Sequence, residues 1–177
     1  MTRMHRTIPA TIALLFVAVL LAGGFSACSK SDASAQLAAA DTLVAHKKYD
    51  EAAKAYQAII KDFPTSAQAP AAFYALGTLQ LNEQNNPAMA IKTFEQLVAQ
   101  HPESAWAHKA QFTIGFTYAN QLQDFDKAKT AYNKYLAQYP DSSFAPHVRT
   151  ELENLGKTPE ELLDALQQDT TTNVATK

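Results

Sequence analysis

The chain has 177 residues, with 15 Lys+Arg against 17 Asp+Glu and a single cysteine. No Lys/Arg-rich block occurs along it, so the footprint that neutralises nucleic-acid phosphates is missing, and one thiol cannot close an internal disulfide. Five glycines stand among abundant Ala, Leu, Gln, Lys and Glu, a helix-forming composition that must be held by its core.

Arg3, His5 and Arg6 lead into an unbroken apolar run, Ile12–Ala22, of secretory h-region length. The small residues Gly23, Gly24, Ser26 and Ala27 follow, and then Cys28. The pattern resembles a bacterial lipoprotein signal, with Phe25 where leucine is usual. That resemblance implies cleavage before Cys28 and acylation of its thiol as the membrane anchor. The mature chain would lose Arg3 and Arg6, leaving 13 of the 15 basic residues against 17 acidic ones. Ser29 stands where an aspartate would mark inner-membrane retention, which favours the outer membrane, facing the periplasm. The alternatives are an uncleaved anchor, since Ile8–Phe25 reaches the lower limit for spanning hydrocarbon, and ordinary secretion. On each reading residues 1–27 are excluded from the fold, and 28–34, small and polar, form a tether.

A fixed period of 38 residues governs the chain from about residue 35 to 155. Ala52, Ala90 and Ala128 recur at it, as do Tyr56, Phe94 and Tyr132, then Pro64, Pro102 and Pro140, Ser66, Ser104 and Ser142, and Ala69, Ala107 and Ala145. Leu76-Gly77 returns as Ile114-Gly115. A first helix is expected near Ala35–His46. Asp50–Phe63, Pro87–Gln100 and Phe125–Tyr139 each carry an apolar stripe at helical spacing, and each stops at a proline. The three serines are placed to cap the helices that follow, roughly Ala67–Leu81, Ala105–Gln121 and Ser143–Leu155.

These columns resemble the tetratricopeptide repeat (TPR) family, whose pattern is aromatic-x2-Leu-Gly-x2-Tyr, then Ala-x3-Phe, then Pro. Phe73-x2-Leu76-Gly77, Ala90-x3-Phe94 and Pro102 match in order. Ile114-Gly115-x2-Tyr118, Ala128-x3-Tyr132 and Pro140 match again, with Gln111 in the leading aromatic position. In the first repeat Ala38-Ala39 stands for Leu-Gly, followed by Ala52-x3-Tyr56 and Pro64. The resemblance implies an all-α, right-handed superhelical solenoid of about three helix-turn-helix repeats plus C-terminal capping helices. The period exceeds the usual 34 by about one helical turn. With Pro-x-Ser after each second helix, it resembles the periplasmic repeat lipoproteins typified by the β-barrel assembly component (BamD-like) and the Tol-Pal coordinator. That kinship implies a protein-binding scaffold in outer-membrane protein assembly or envelope maintenance. Two alternatives are a self-associating structural module and a carrier of a small envelope ligand such as a peptidoglycan fragment.

After Leu155, Gly156 is expected to end a helix. Thr158-Pro159-Glu160-Glu161 reads as a new start with a capping box, giving a C-terminal helix over 158–168 before a disordered tail, 169–177. That helix either caps the solenoid or docks elsewhere.

No serine elbow, phosphate loop or metal-spaced Cys/His set occurs, so neither catalytic residue, metal nor cofactor is expected, and the chain reads as no enzyme. His101 sits at a helix end, where a cation favours the dipole. By the family's register the first helix of each hairpin lines a concave groove, which assigns Tyr74, Thr78, Asn82, Lys109, Phe112, Phe116, Asn120, His147 and Thr150 to a partner-binding face. Ala40, Thr78 and Phe116 occupy the column where chaperone-type arrays place a carboxylate-clamping asparagine. An extended or helical protein segment with apolar anchors suits the face instead. The competing role for each aromatic is packing between hairpins.

Overall fold

The structure, a computed structural model, describes residues 28–164, with side chains described from Ala33. Seven helices follow in order: α1 (Cys28–Ala45), α2 (Tyr49–Asp62), α3 (Ala69–Asn82), α4 (Pro87–Gln100), α5 (Ala105–Asn120), α6 (Phe125–Gln138) and α7 (Ala145–Asn154). A further helical stretch begins at 159 and reaches the end of the described residues. There is no strand among them. Each helix packs on the next, and α3 also touches α5, so the chain is a solenoid of stacked helical hairpins with its odd-numbered helices on the inner layer.

The period appears in the backbone as well as in the side chains. Lys47, Asn85 and Gln123, 38 apart, all adopt left-handed φ values (59°, 47° and 51°) in the turns within the hairpins. Asparagine tolerates that region; lysine and glutamine enter it at a cost. The next residues cap α4 and α6: Asn86 Oδ1 accepts from the Met89 N–H and Asp124 Oδ1 from the Lys127 N–H, each at 3.1 Å. Between repeats, the Ser66, Ser104 and Ser142 N–H groups donate to the carbonyls of Phe63, His101 and Tyr139.

The core sits where paired helices approach. Phe94, Tyr132 and Ile59 are fully enclosed, each contributing on the order of 1.5–3 kcal/mol by burial. Glycine makes the approach possible. A Cβ at Gly115 would stand 2.5 Å from Tyr132 Cδ1, a position no side chain can hold.

Four expectations need correction. The first helix starts at Cys28 rather than near Ala35, so 28–34 is part of α1; Ala, Ser, Lys and Asp without Gly or Pro offer nothing to stop the helix. Ala38 and Ala39 are exposed, while Ala40 is fully buried. The turn between α1 and α2 is three residues rather than the four between α3 and α4, so the register slips by one and Ala40 takes the place of Gly77. Ser66 and Ser104 do accept from the N–H groups three residues on, Ala69 at 3.2 Å and Ala107 at 3.1 Å, but α3 and α7 start at Ala69 and Ala145, and Ser142 departs from the pattern: its Oγ is drawn to Tyr135 Oη at 2.8 Å and accepts from the Phe144 N–H instead. The His101 ring packs near Phe73, and burial pushes its pKa down, against the cation that the helix-end position would favour.

Gly156 does turn left-handed (φ 79°) beyond α7. Thr158 and Glu161 form the reciprocal capping box, with Thr158 N–H to Glu161 Oε2 at 2.8 Å and Glu161 N–H to Thr158 Oγ1 at 3.2 Å. The expected signal segment 1–27, the end of the expected 158–168 helix and the expected tail 169–177 lie outside the described residues, as does the side chain of Cys28.

Candidate functional site: the concave face

The inner layer presents two aromatic clusters, one repeat apart, built by the same contacts. On α3, Tyr74 lies between Phe94 (ring centroids 5.5 Å apart) and Trp106 (5.1 Å). On α5, Phe112 lies between Tyr132 (6.1 Å) and Phe144 (6.0 Å). Phe94 and Tyr132 are the aromatic columns of the repeat. Trp106 and Phe144 come from the start of the next inner helix, so each cluster ties one hairpin to its neighbour. Such tilted and offset pairs add about 0.5–1.5 kcal/mol beyond area burial.

The second cluster continues outward. Phe112 also meets Phe116 (6.1 Å) and His147 (5.3 Å). Phe116 is 40% exposed and Phe144 46%, an apolar shelf that the fold leaves open. Thus Phe112 and Tyr74 combine packing between hairpins with a place on the groove, while Phe116 faces solvent.

Beside the first cluster lies a cavity of about 370 Å³ between α1, α3 and α5, at the low end of ligand-pocket size. Tyr74, Thr78 and Asn82 line it, together with Trp106, Asp41 and Glu83. Asp41 accepts a 2.6 Å hydrogen bond from Tyr56 Oη, and burial with that carboxylate nearby raises the Tyr56 phenol above its ordinary pKa. The Lys109 ammonium stands 4.6 Å from the Trp106 ring centre, a cation–π contact.

The remaining expected residues scatter. The Thr78 and Thr150 hydroxyls donate back to Tyr74 and Pro146 carbonyls, a local use of threonine in helices. His147 Nε2 stands 3.7 Å from Glu151 Oε1. Asn120 Nδ2 donates to the Phe116 carbonyl, and its side chain lines a separate cavity of about 610 Å³ at the C-terminal end, with Phe125 and Leu162. Trp106, Phe144, Asp41 and Glu83 escaped the sequence reading. Trp106 and Phe144 are 38 apart, a column that names them once the inner helices are known. Asp41 escaped because of the register slip in α1.

Among the described residues no group of three His, Cys, Asp or Glu could hold a metal ion, and no helix is long and apolar enough to cross a membrane.

The sequence matches tetratricopeptide repeat family models over residues 37–105 and again over 109–142. No curated protein matches it. Among solved structures it is similar to a tetratricopeptide repeat protein from Parabacteroides merdae at 16% identity and a TM-score of 0.38, covering 70% of this chain and 60% of that one. The two family matches take up more than half of the 177 residues and coincide with the hairpins described above; the chain belongs to the tetratricopeptide repeat proteins.

Proposed function

We propose that this protein is a lipid-anchored, periplasm-facing scaffold whose concave face captures a segment of a protein partner, in outer-membrane protein assembly or envelope maintenance. Tetratricopeptide repeats mediate protein–protein interaction, and the matched repeats carry that much. The observation that supports the groove is the open shelf of Phe116 and Phe144 over Phe112. Large apolar rings left in solvent beside a structured concavity are what a helical or extended segment would cover. The anchor rests on the Arg-led apolar run ending at Cys28. Two or three acyl chains hold a soluble domain at a bilayer where one is marginal.

Site-directed photo-cross-linking in intact cells tests the reading. A photoreactive phenylalanine at Phe116 should capture a discrete envelope protein, whereas one at the exposed Lys92 of α4 on the outer layer should not. Capture from Lys92 alone would contradict the concave assignment.

Self-association through the C-terminal end is a second reading. It draws on Leu163, 56% exposed, beside the cavity lined by Phe125 and Leu162. A dilution-resistant oligomer that Leu163→Asp abolishes would support it. A monomer by light scattering removes it.

A further inference from the structure

The two aromatic clusters differ in charge, and that difference specifies what each takes. The shelf around Phe112, Phe116 and Phe144 is built of apolar rings, with His147 beside Phe112 at its edge. The cavity next to Tyr74 has aromatic walls, Tyr56, Tyr74 and Trp106, and two carboxylates, Asp41 and Glu83; no lysine or arginine lines it. Both carboxylates are exposed, so they stand towards solvent while the rings form the interior.

We infer that the α1–α3–α5 cavity receives an arginine or lysine side chain of the partner segment, while the shelf one repeat further on takes an apolar residue of the same segment; the inference rests on the peptide-groove reading above. A guanidinium or ammonium stem packs along aromatic walls while its head meets carboxylates, and desolvation between the rings strengthens both contacts. The protein carries an example of this affinity, since the Lys109 ammonium already sits against the Trp106 ring from outside that cavity. A C-terminal carboxylate is the wrong occupant: by the corrected register Asp41, not Ala40, stands in the clamp column beside Thr78, and like charges repel it. Neutral apolar side chains would partly desolvate Asp41 and Glu83 without supplying a positive charge to offset it, and the Tyr56 hydroxyl on Asp41 is only a neutral donor.

The test uses full-length protein, immobilised, and a library of random seven-residue peptides. Retained peptides should be enriched in Arg or Lys at one position, with an apolar residue at a fixed spacing from it. The double variant Asp41→Asn/Glu83→Gln should lose the cationic preference by about tenfold and keep the apolar one. The Asp41→Asn change keeps a side-chain oxygen that can accept from Tyr56, and equal melting temperatures would show that the fold is intact. Trp106 is the sole tryptophan of the chain, so a synthetic copy of the best arginine peptide should shift its fluorescence in the parent and do so weakly in the variant. Lys109→Gln should strengthen the cationic preference, because a competing positive charge leaves the ring. Apolar enrichment alone, or a cationic preference indifferent to Asp41 and Glu83, overturns this inference and leaves the groove standing. Retention of no peptide class by the parent overturns both.

Discussion

Gly77 lies so close to the Phe94 ring that a Cβ there would stand 2.8 Å from both Cδ1 and Cζ. Gly115 and Tyr132 repeat the relationship one unit later. Phe94 and Tyr132 are fully buried, so neither ring has space to retreat. Alanine is the better helix former by about 1 kcal/mol, yet Gly77→Ala and Gly115→Ala should each destabilise by about 1–3 kcal/mol through overpacking. Combining Gly77→Ala with Phe94→Leu should cost less than the sum of the two changes, because the smaller side chain makes room for the methyl. Thermal melts of the four-member cycle check this. Simple additivity would show that the two residues do not share the space.

Gln111 replaces the aromatic that opens the repeat at Phe73. It is 1% exposed, its Nε2 donates to the Ala131 carbonyl at 3.3 Å, and its Oε1 has no partner. A buried acceptor left unpaired costs about 1–3 kcal/mol. Gln111→Leu, similar in volume, should therefore raise stability by about 1 kcal/mol in chemical denaturation. A loss of that size instead would mean that the bond to Ala131 outweighs the unpaired oxygen.

His101 supplies a pH prediction. Burial lowers its folded pKa below the ordinary 6.5. As pH falls through 6.5 the unfolded chain takes up a proton that the folded one resists, so this group contributes a loss of stability on acidification. His101→Gln should narrow the drop in melting temperature between about pH 7 and pH 5. An unchanged drop would remove His101 from the acid response.

Cys28→Ala should abolish fatty-acid labelling and leave an unprocessed precursor. Normal maturation and labelling in that variant would sink the anchor.

The repeat was legible because its columns are packing constraints. Alanine, glycine, aromatic and proline each answer one demand of the paired helices, and the α4 boundaries fall where Pro87 and Pro102 imply. The thinner places are where one cause yields to another. In α1 no Leu-Gly pair fixes the register, so a turn one residue shorter passed unseen and moved the close contact to Ala40. At Ser142 a tyrosine hydroxyl competed for the capping oxygen. The resemblance to the repeat family, through its register, marked Tyr74 and Phe112 as inner-face residues. Their partners Trp106 and Phe144 lie about one repeat further along the chain, and only the stacking of hairpins brings them together.

The central claim is that the shelf binds. Phe116 packs against Phe112 and keeps 40% of its surface in solvent, so Phe116→Ala removes less folding energy than a change at the fully buried Phe94 or Tyr132. If the shelf is the anchor site, that variant should weaken capture of the cross-linked partner by about 2 kcal/mol, roughly thirtyfold, with its melting temperature close to that of the parent. Unchanged affinity, or a lowered melting temperature with binding lost only in proportion to unfolding, would contradict the account.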